Sequence, residues 1–174
     1  MSPTEKVSHG SLPAHIDPMQ LAEQGAQLAG VLPLKGMSRL LPACVDDVGE
    51  IQIDLQFGRD EGGNVHELRG KIGATVHVAC QRCLEPMDLT LETDTRLLLL
   101  RAGERADALA PEAEALTVAG PVSLQALVED ELLLVMPMTP MHPLQACPAR
   151  ERVATPASPR RGTPLAALGR LKRT

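Results

Sequence analysis

The 174-residue chain has almost no aromatic residues: Phe57 stands alone, with no Trp and no Tyr. Any core must therefore be built from Leu, Val, Ile, Met and Ala. Base stacking on aromatic rings, the common route to reading single-stranded RNA, is closed to it. Long apolar runs are missing as well. The longest, residues 132–138, is interrupted by Pro137 and falls far short of the roughly 18 residues that would suggest a membrane span. Residues 1–10 carry neither the basic cluster nor the apolar stretch of a secretory leader. The expectation is a cytoplasmic protein without a membrane role. Its four cysteines are then more readily reduced, metal-bound or inert than paired as disulfides.

Acidic residues outnumber basic ones and the net charge is −5, but the balance shifts along the chain. Residues 149–174 contain Arg150, Arg152, Arg160, Arg161, Arg170, Lys172 and Arg173 against a single acid, Glu151. Such asymmetry suits a basic tail that touches a polyanion while an acidic body stays in solution. A solvated tail whose arginines bind nothing specific fits the same pattern.

With 44% hydrophobic residues, the chain reads as one α+β domain at 16–148. A disordered N-terminus (1–15) precedes it, and a mobile basic C-terminal tail (149–174) with a short terminal helix comes after it. Asp17-Pro18 predicts a helix start, with Asp as N-cap and Pro in the first helical position, running to about Leu28 and ended by Gly30. Residues 31–41 fit either a strand or a turn-rich connector. Ile51, Ile53, Leu55 and Phe57 alternate with Gln52, Asp54 and Gln56, the signature of a half-buried strand. Ile72, Ala74, Val76 and Val78 repeat the pattern after a Gly-rich loop at 58–63, which predicts an antiparallel hairpin. Met87, Leu89 and Leu91 suggest a third strand, and the apolar run 97–100 suggests a fourth. A mobile loop or frayed helix is expected over 101–114. The clearest helix is the one long helix at 121–136, capped by Ser123 and striped by Leu124, Leu127, Val128 and Val135.

The sharpest chemical signal is Cys80-Gln81-Arg82-Cys83. Two sulfurs at this spacing can share one metal, and zinc asks for four ligands. His142 and Cys147, just past the long helix, supply a second pair, so Cys80, Cys83, His142 and Cys147 form a candidate Cys3His set. The alternative is that Cys80 and Cys83 are small buried hydrophobes at a strand end. A redox role fits less well, because such motifs open a helix whereas strand signals flank this one. Glu129, Asp130 and Glu131 are consecutive, so a helix points them in different directions. They read as a solvated face, with capture of a basic partner as the other reading. Cys44 reads as core, and His66 and His77 as surface residues. Arg82, inside the C-x-x-C turn, could join Arg170, Lys172 and Arg173 in a phosphate contact, or be an ordinary surface residue. No catalytic residue is assigned.

Three blocks, in this order, carry a resemblance. Residues 78–86, around Cys80-Gln81-Arg82-Cys83, resemble the central C-x-R-C signature of the YceD-like family, the large ribosomal RNA subunit accumulation proteins. Residues 127–134, with Pro137, Pro140, Met141 and His142 after them, are similar to its second block. Residues 163–172 resemble its closing segment, with Thr163 and Leu165 where Asn and Phe are usual. The resemblance spans about residue 17 to the C-terminus. It implies a non-enzymatic role in the synthesis, processing or stability of large-subunit (23S) ribosomal RNA in ribosome biogenesis. The implied partner is ribosomal RNA or a large-subunit precursor, or else a basic ribosomal protein. The resemblance also implies a zinc knuckle, although this chain has His142 where many members have cysteine. Two alternatives stay open: a small zinc-stapled adaptor with no RNA contact, and an RNA-processing hydrolase.

Overall fold

The structure is a computed structural model, and it describes residues 6–7, 12–60, 62–63, 65–104 and 114–149. Among these, six strands form one sheet in the order β1-β3-β4-β5-β6-β7, and β2 pairs with β8 in a separate two-stranded ribbon. The strands of the main sheet are β1 Lys6–Val7, β3 Gln27–Pro33, β4 Glu50–Arg59, β5 His66–Ala79, β6 Pro86–Arg101 and β7 Glu114–Val118. The ribbon is β2 His15–Ile16 with β8 Val122–Ser123. The central pairings β3–β4, β4–β5 and β5–β6 are antiparallel. The outer pairings β1–β3 and β6–β7 are parallel.

Among the described residues two helices accompany the sheet, the one started by Asp17-Pro18 and the one expected at 121–136, rather than one long helix alone. Helix α1, Pro18–Gln24, starts as the sequence suggests: Met19 N–H and Gln20 N–H each donate to Asp17 Oδ1 at 3.1 Å. It stops well before Leu28. Gly25 takes φ +64° as C-cap, a left-handed conformation that glycine adopts without a Cβ clash. Residues 27–33 then pair with β4 rather than continue the helix. Helix α2, Leu124–Val135, is capped by Ser123 Oγ, which accepts from Ala126 N–H at 3.2 Å. Met136 and Pro137 end its pattern.

The alternation in β4 survives intact: Ile51, Ile53, Leu55 and Phe57 are buried and face Ala74, Ile72, Gly70 and Leu68 of β5. The two alternating runs form the expected antiparallel hairpin, but β4 runs on through the expected 58–63 loop as far as Arg59, with Gly58 and Arg59 opposite Glu67 and His66. The expected third and fourth strands are one 16-residue strand, β6. The polar stretch between its apolar ends stays in the ladder because β5 runs beside it over 14 paired positions. Gly70 is the tightest point. A Cβ there would fall on the Asp54 carbonyl oxygen and 2.8 Å from Leu55 Cα, so only glycine lets β4 and β5 approach at this point.

The inner sheet face packs on α1, on α2 and on the connector between β3 and β4. That connector combines both readings of residues 31–41. Strand β3 runs to Pro33, and tight turns at Leu34–Gly36 and Leu41–Ala43 come next. It drives Leu34, Met37 and Leu40 into the core at 1% exposure or less, each contributing about 2 kcal/mol of burial. The outer face of the sheet stays polar, with Gln52, Asp54 and Gln56 exposed.

Candidate metal centre

Strand β5 ends at Ala79, and the chain reverses through Cys80-Gln81-Arg82-Cys83-Leu84 into β6. Leu84 N–H donates to the Cys80 carbonyl at 2.8 Å, and Cys80 N–H donates to the Glu85 carbonyl at 3.0 Å. Leu84 holds φ +65°, a left-handed backbone that costs a branched residue about 1 kcal/mol. The segment after α2 is tied to this turn by Gln81 N–H, which donates to the Pro140 carbonyl at 2.9 Å. A further tight turn at Leu144–Ala146 brings in Cys147.

These two hydrogen-bonded segments place the four sequence-predicted ligands together. Cys80 Sγ, Cys83 Sγ, Cys147 Sγ and one ring nitrogen of His142 all lie within 4.8 Å of one another. The Cys83 Sγ to His142 Nδ1 separation is 3.4 Å. A tetrahedral zinc with bonds of roughly 2.3 Å to sulfur and 2.0 Å to nitrogen has ligand-to-ligand edges of about 3.5–3.8 Å. The donor set therefore fits a zinc-sized ion after a small contraction. All four cysteines of the chain are free thiols. Cys80 and Cys147 are buried and form a small core of their own with Ala149. The turn lies between two strands rather than at the start of a helix, which separates it from a thioredoxin-like motif.

Electrostatics distinguish the thiols. Burial pushes the Cys80 thiol up, but the N–H groups of Cys83, His142 and Arg82 and the Cys83 side chain outweigh it and bring it down to about 5. The His142 N–H donates to Cys80 Sγ at 3.4 Å. Backbone amides aimed at one sulfur favour its thiolate. Burial raises the Cys83 thiol; the Cys80 and Cys147 side chains raise it further, against a lowering by the Glu85 N–H. A protein that gathers three sulfurs this closely has favoured one thiolate and penalised the next. A divalent cation removes that conflict.

Arg82 sits where the sequence places it, on the knuckle, but it is half-buried. Its Nη2 lies 3.6 Å from Met141 Sδ, and its Nη1 is buried without a hydrogen-bond partner among the described residues. Arg170, Lys172 and Arg173, together with the expected terminal helix, lie outside the described residues. So do most of the expected N-terminal segment and most of the 101–114 loop.

The acidic run in α2 departs from expectation. Glu129 and Glu131 are 3% and 6% exposed, and only Asp130 faces solvent. Glu129 Oε1 accepts from Arg39 N–H at 2.6 Å and Leu40 N–H at 3.0 Å. Its Oε2 accepts from Arg39 Nε at 3.0 Å. Arg39 also bonds Asp130 through Nη1 and donates from Nη2 to the Ala126 carbonyl at 3.1 Å. Burial raises the Glu129 carboxyl, yet the Leu40 and Arg39 amides and the Arg39 guanidinium hold it below the usual range. Neither Arg39 nor this clamp was visible in the sequence pattern. A partial signal was Glu131, three residues after Val128 and four after Leu127, and so within the apolar stripe.

His77 was read as an ordinary surface residue, yet it has partners. Its Nδ1 lies 2.8 Å from Asp46 and its Nε2 3.5 Å from Asp88.

Fold and site together define a class: a small α+β domain whose β5–β6 turn and post-helix segment meet in a Cys3His cluster able to hold a metal. Residues 68–172 match the sequence profile of the family described as large ribosomal RNA subunit accumulation protein YceD. A Haemophilus influenzae protein named large ribosomal RNA subunit accumulation protein YceD is 31% identical over 138 residues, covering 78% of this chain and 79% of that protein. No solved structure matches. The chain belongs to the YceD family.

Proposed function

We propose that this chain supports the accumulation of large-subunit ribosomal RNA as a non-enzymatic cytoplasmic factor, with zinc on Cys80, Cys83, His142 and Cys147 as a structural staple. The observation that carries the reading is the closed donor set in a chain of this family. Four protein ligands satisfy a tetrahedral ion and leave no position for the activated water that a hydrolase needs. The zinc fixes the post-helix segment against the β5–β6 turn. From there the basic tail, through Arg170, Lys172 and Arg173 with Arg82 beside the knuckle, reaches ribosomal RNA or a large-subunit precursor. Lacking aromatic rings, the contact is to phosphate rather than to bases.

Sucrose-gradient sedimentation of lysates with and without the protein tests the cellular role. Fewer large subunits without it, and co-migration of the protein with their precursors, are expected. Unchanged subunits with the protein at the top of the gradient would overturn the reading. In vitro, affinity for precursor RNA should fall with salt by a slope of about 0.7–0.9 per phosphate contacted. Removing residues 149–174 should flatten that slope; an unchanged slope would remove the tail from the interface.

A second reading, an adaptor that binds a basic ribosomal protein, is favoured by the carboxylates on the outer sheet face. A groove there of about 590 Å³ is lined by Asp54, Glu92 and Asp94 as well as Lys71. Co-sedimentation that persists without the tail and without RNA affinity would select it.

A further inference from the structure

Strand β6 is the longest of the described strands, and one of its two edges is only partly used. On one side β5 pairs with it from Pro86 to Leu99. On the other side β7 pairs with it only from Leu97 to Arg101. Among the described residues, no strand continues the sheet beyond β6 from Pro86 to Arg96. Every second residue of such an edge points its N–H and C=O away from the sheet, and a long open edge is a template for another strand. Folded proteins blunt such edges with lysine, proline or a bulge. Residues 87–96 contain no lysine and no proline, and their register with β5 runs without a break.

The side chains along this edge define what it can accept. Toward the outer face it presents Asp88, Thr90, Glu92 and Asp94, all exposed. Glu92 lies opposite Gly73, which has no side chain to offer it. Asp94 and Asp88 approach Lys71 and His77 only to 3.6 and 3.5 Å, and their side chains stay 80% and 78% exposed. Toward the inner face, Met87 and Leu89 are only partly buried against the core. A second β6 laid antiparallel about Leu91 would set Asp88 opposite Asp94, and like charges directly opposite each other destabilise a sheet. The same carboxylates repel phosphate. A cationic strand meets neither obstacle.

We propose that the β6 edge from Met87 to Thr95 takes up, as an added strand, an extended segment of a basic protein in which lysine or arginine alternates with apolar residues. Main-chain hydrogen bonds hold the segment to the edge. Its cations lie beside Asp88, Glu92 and Asp94, and its apolar residues extend the layer of Met87 and Leu89. The proposal rests on the adaptor reading above and adds to it the surface and the partner's chemistry.

The probe is a synthetic peptide alternating lysine and valine, about nine residues long to match the open edge. It is added to the full chain, and amide exchange is followed residue by residue by NMR. At saturating peptide, alternate amides within residues 87–95 should slow roughly tenfold, while those bonded to β5 keep their rates. Glu92→Gln, an exposed substitution, should weaken the peptide about threefold, with exchange in β4 unchanged. A peptide with glutamate in place of lysine should protect nothing. Peptide binding that shifts Gln52, Asp54 and Lys71 without slowing alternate β6 amides would overturn the edge and leave the adaptor reading standing on the sheet face. No binding of the peptide would also overturn the edge, with the adaptor reading judged separately by co-sedimentation. Alternate β6 amides already protected without peptide would assign the edge to a second copy if the protein sediments as a dimer, or to the chain itself if it sediments as a monomer. Either result overturns the proposal.

Discussion

Two polar clusters tie the region around α2 to distant parts of the chain, and they are built on opposite principles. The Arg39–Glu129 clamp joins residues 90 positions apart; the knuckle joins Cys83 to His142, 59 positions apart. In the clamp every charge is answered from within. The buried Glu129 carboxylate receives two amides and a guanidinium, and the remaining guanidinium nitrogens reach Asp130 and the Ala126 carbonyl. In the knuckle three sulfurs and an imidazole converge, and Arg82 on the same turn directs its Nη2 toward Met141 Sδ. A polar cluster whose charges balance is a fold device, whereas one that gathers donors of like character is shaped for a cation.

The sharpest way to break this contrast is to disable one cluster at a time. Cys80→Ser and Cys147→Ser should each abolish binding of one zinc per chain and lower Tm by about 10 °C, several kcal/mol at this chain length. Plasma emission spectrometry and thermal melts check both. A strong chelator should reproduce the loss in the unaltered chain and do nothing further to the serine variants. A chain that binds no zinc and whose melting is indifferent to these substitutions would return Cys80 and Cys83 to the role of plain buried hydrophobes.

Glu129→Gln comes next. It keeps the side chain's shape but removes the charge that Arg39 and two amides address. The expected loss is about 2 kcal/mol, or roughly 6 °C in Tm, with zinc stoichiometry unchanged. The pH dependence has a definite sign. The carboxyl lies below its ordinary 4.5 in the folded protein. Its contribution is therefore complete above that ordinary value and fades as pH falls through the lowered folded value. The stability advantage of the unaltered chain over Glu129→Gln should thus shrink on acidification below about pH 4.5. An advantage that stays constant down to about pH 3 would mean the ionised carboxylate is not what holds the connector.

The double variant Glu129→Gln/Cys80→Ser sharpens the comparison with a smaller effect. If the clusters are independent devices, their losses should add within about 0.5 kcal/mol. Coupling above about 1 kcal/mol in a double-mutant cycle would show that α2 transmits the state of one cluster to the other.

The same contrast explains what the sequence could reveal. Periodicity and caps are local, and they succeeded where the structure is local: the Ile51–Phe57 alternation, the hairpin to β5, and the Asp17 and Ser123 caps. The meeting of Cys80, Cys83, His142 and Cys147 was legible because residue type marks it; cysteine and histidine in two close pairs have few other uses. Glu129 carried no such mark, since a carboxylate in a helix is ordinarily solvated and its partner Arg39 is 90 residues away. Strand β6 looked broken at 92–96 because its polar residues face the outer side or sit opposite Gly70 and Ile72. Only the partner strand's length shows that the ladder continues. Residues 27–33 lacked clean alternation and were partly given to a helix, which the left-handed Gly25 ends early.

His77 offers the mildest perturbation, and it tests whether a balanced pair at the surface behaves like the buried clamp. The Asp46 hydrogen bond and charge raise its pKa above 6.5, burial opposes them, and Asp88 adds to the rise. The same contact lowers Asp46, so the two partners agree in direction. Because the folded value is the raised one, the pair's contribution is complete below about pH 6.5 and is lost as pH climbs through the folded value. His77→Gln should therefore narrow the Tm difference between about pH 6 and pH 8.5, by no more than about 2 °C given the exposure of both groups. Added salt at about pH 6 should shrink the effect further, since screening acts on exposed pairs and far less on buried ones. The Glu129→Gln difference, measured at the same pH, should hardly respond to salt. If both substitutions respond to salt alike, the clamp is not shielded from solvent and its Glu129 belongs with the surface pairs. If only His77→Gln responds, burial is what separates a contact that holds the connector on α2 from one that merely biases a surface loop.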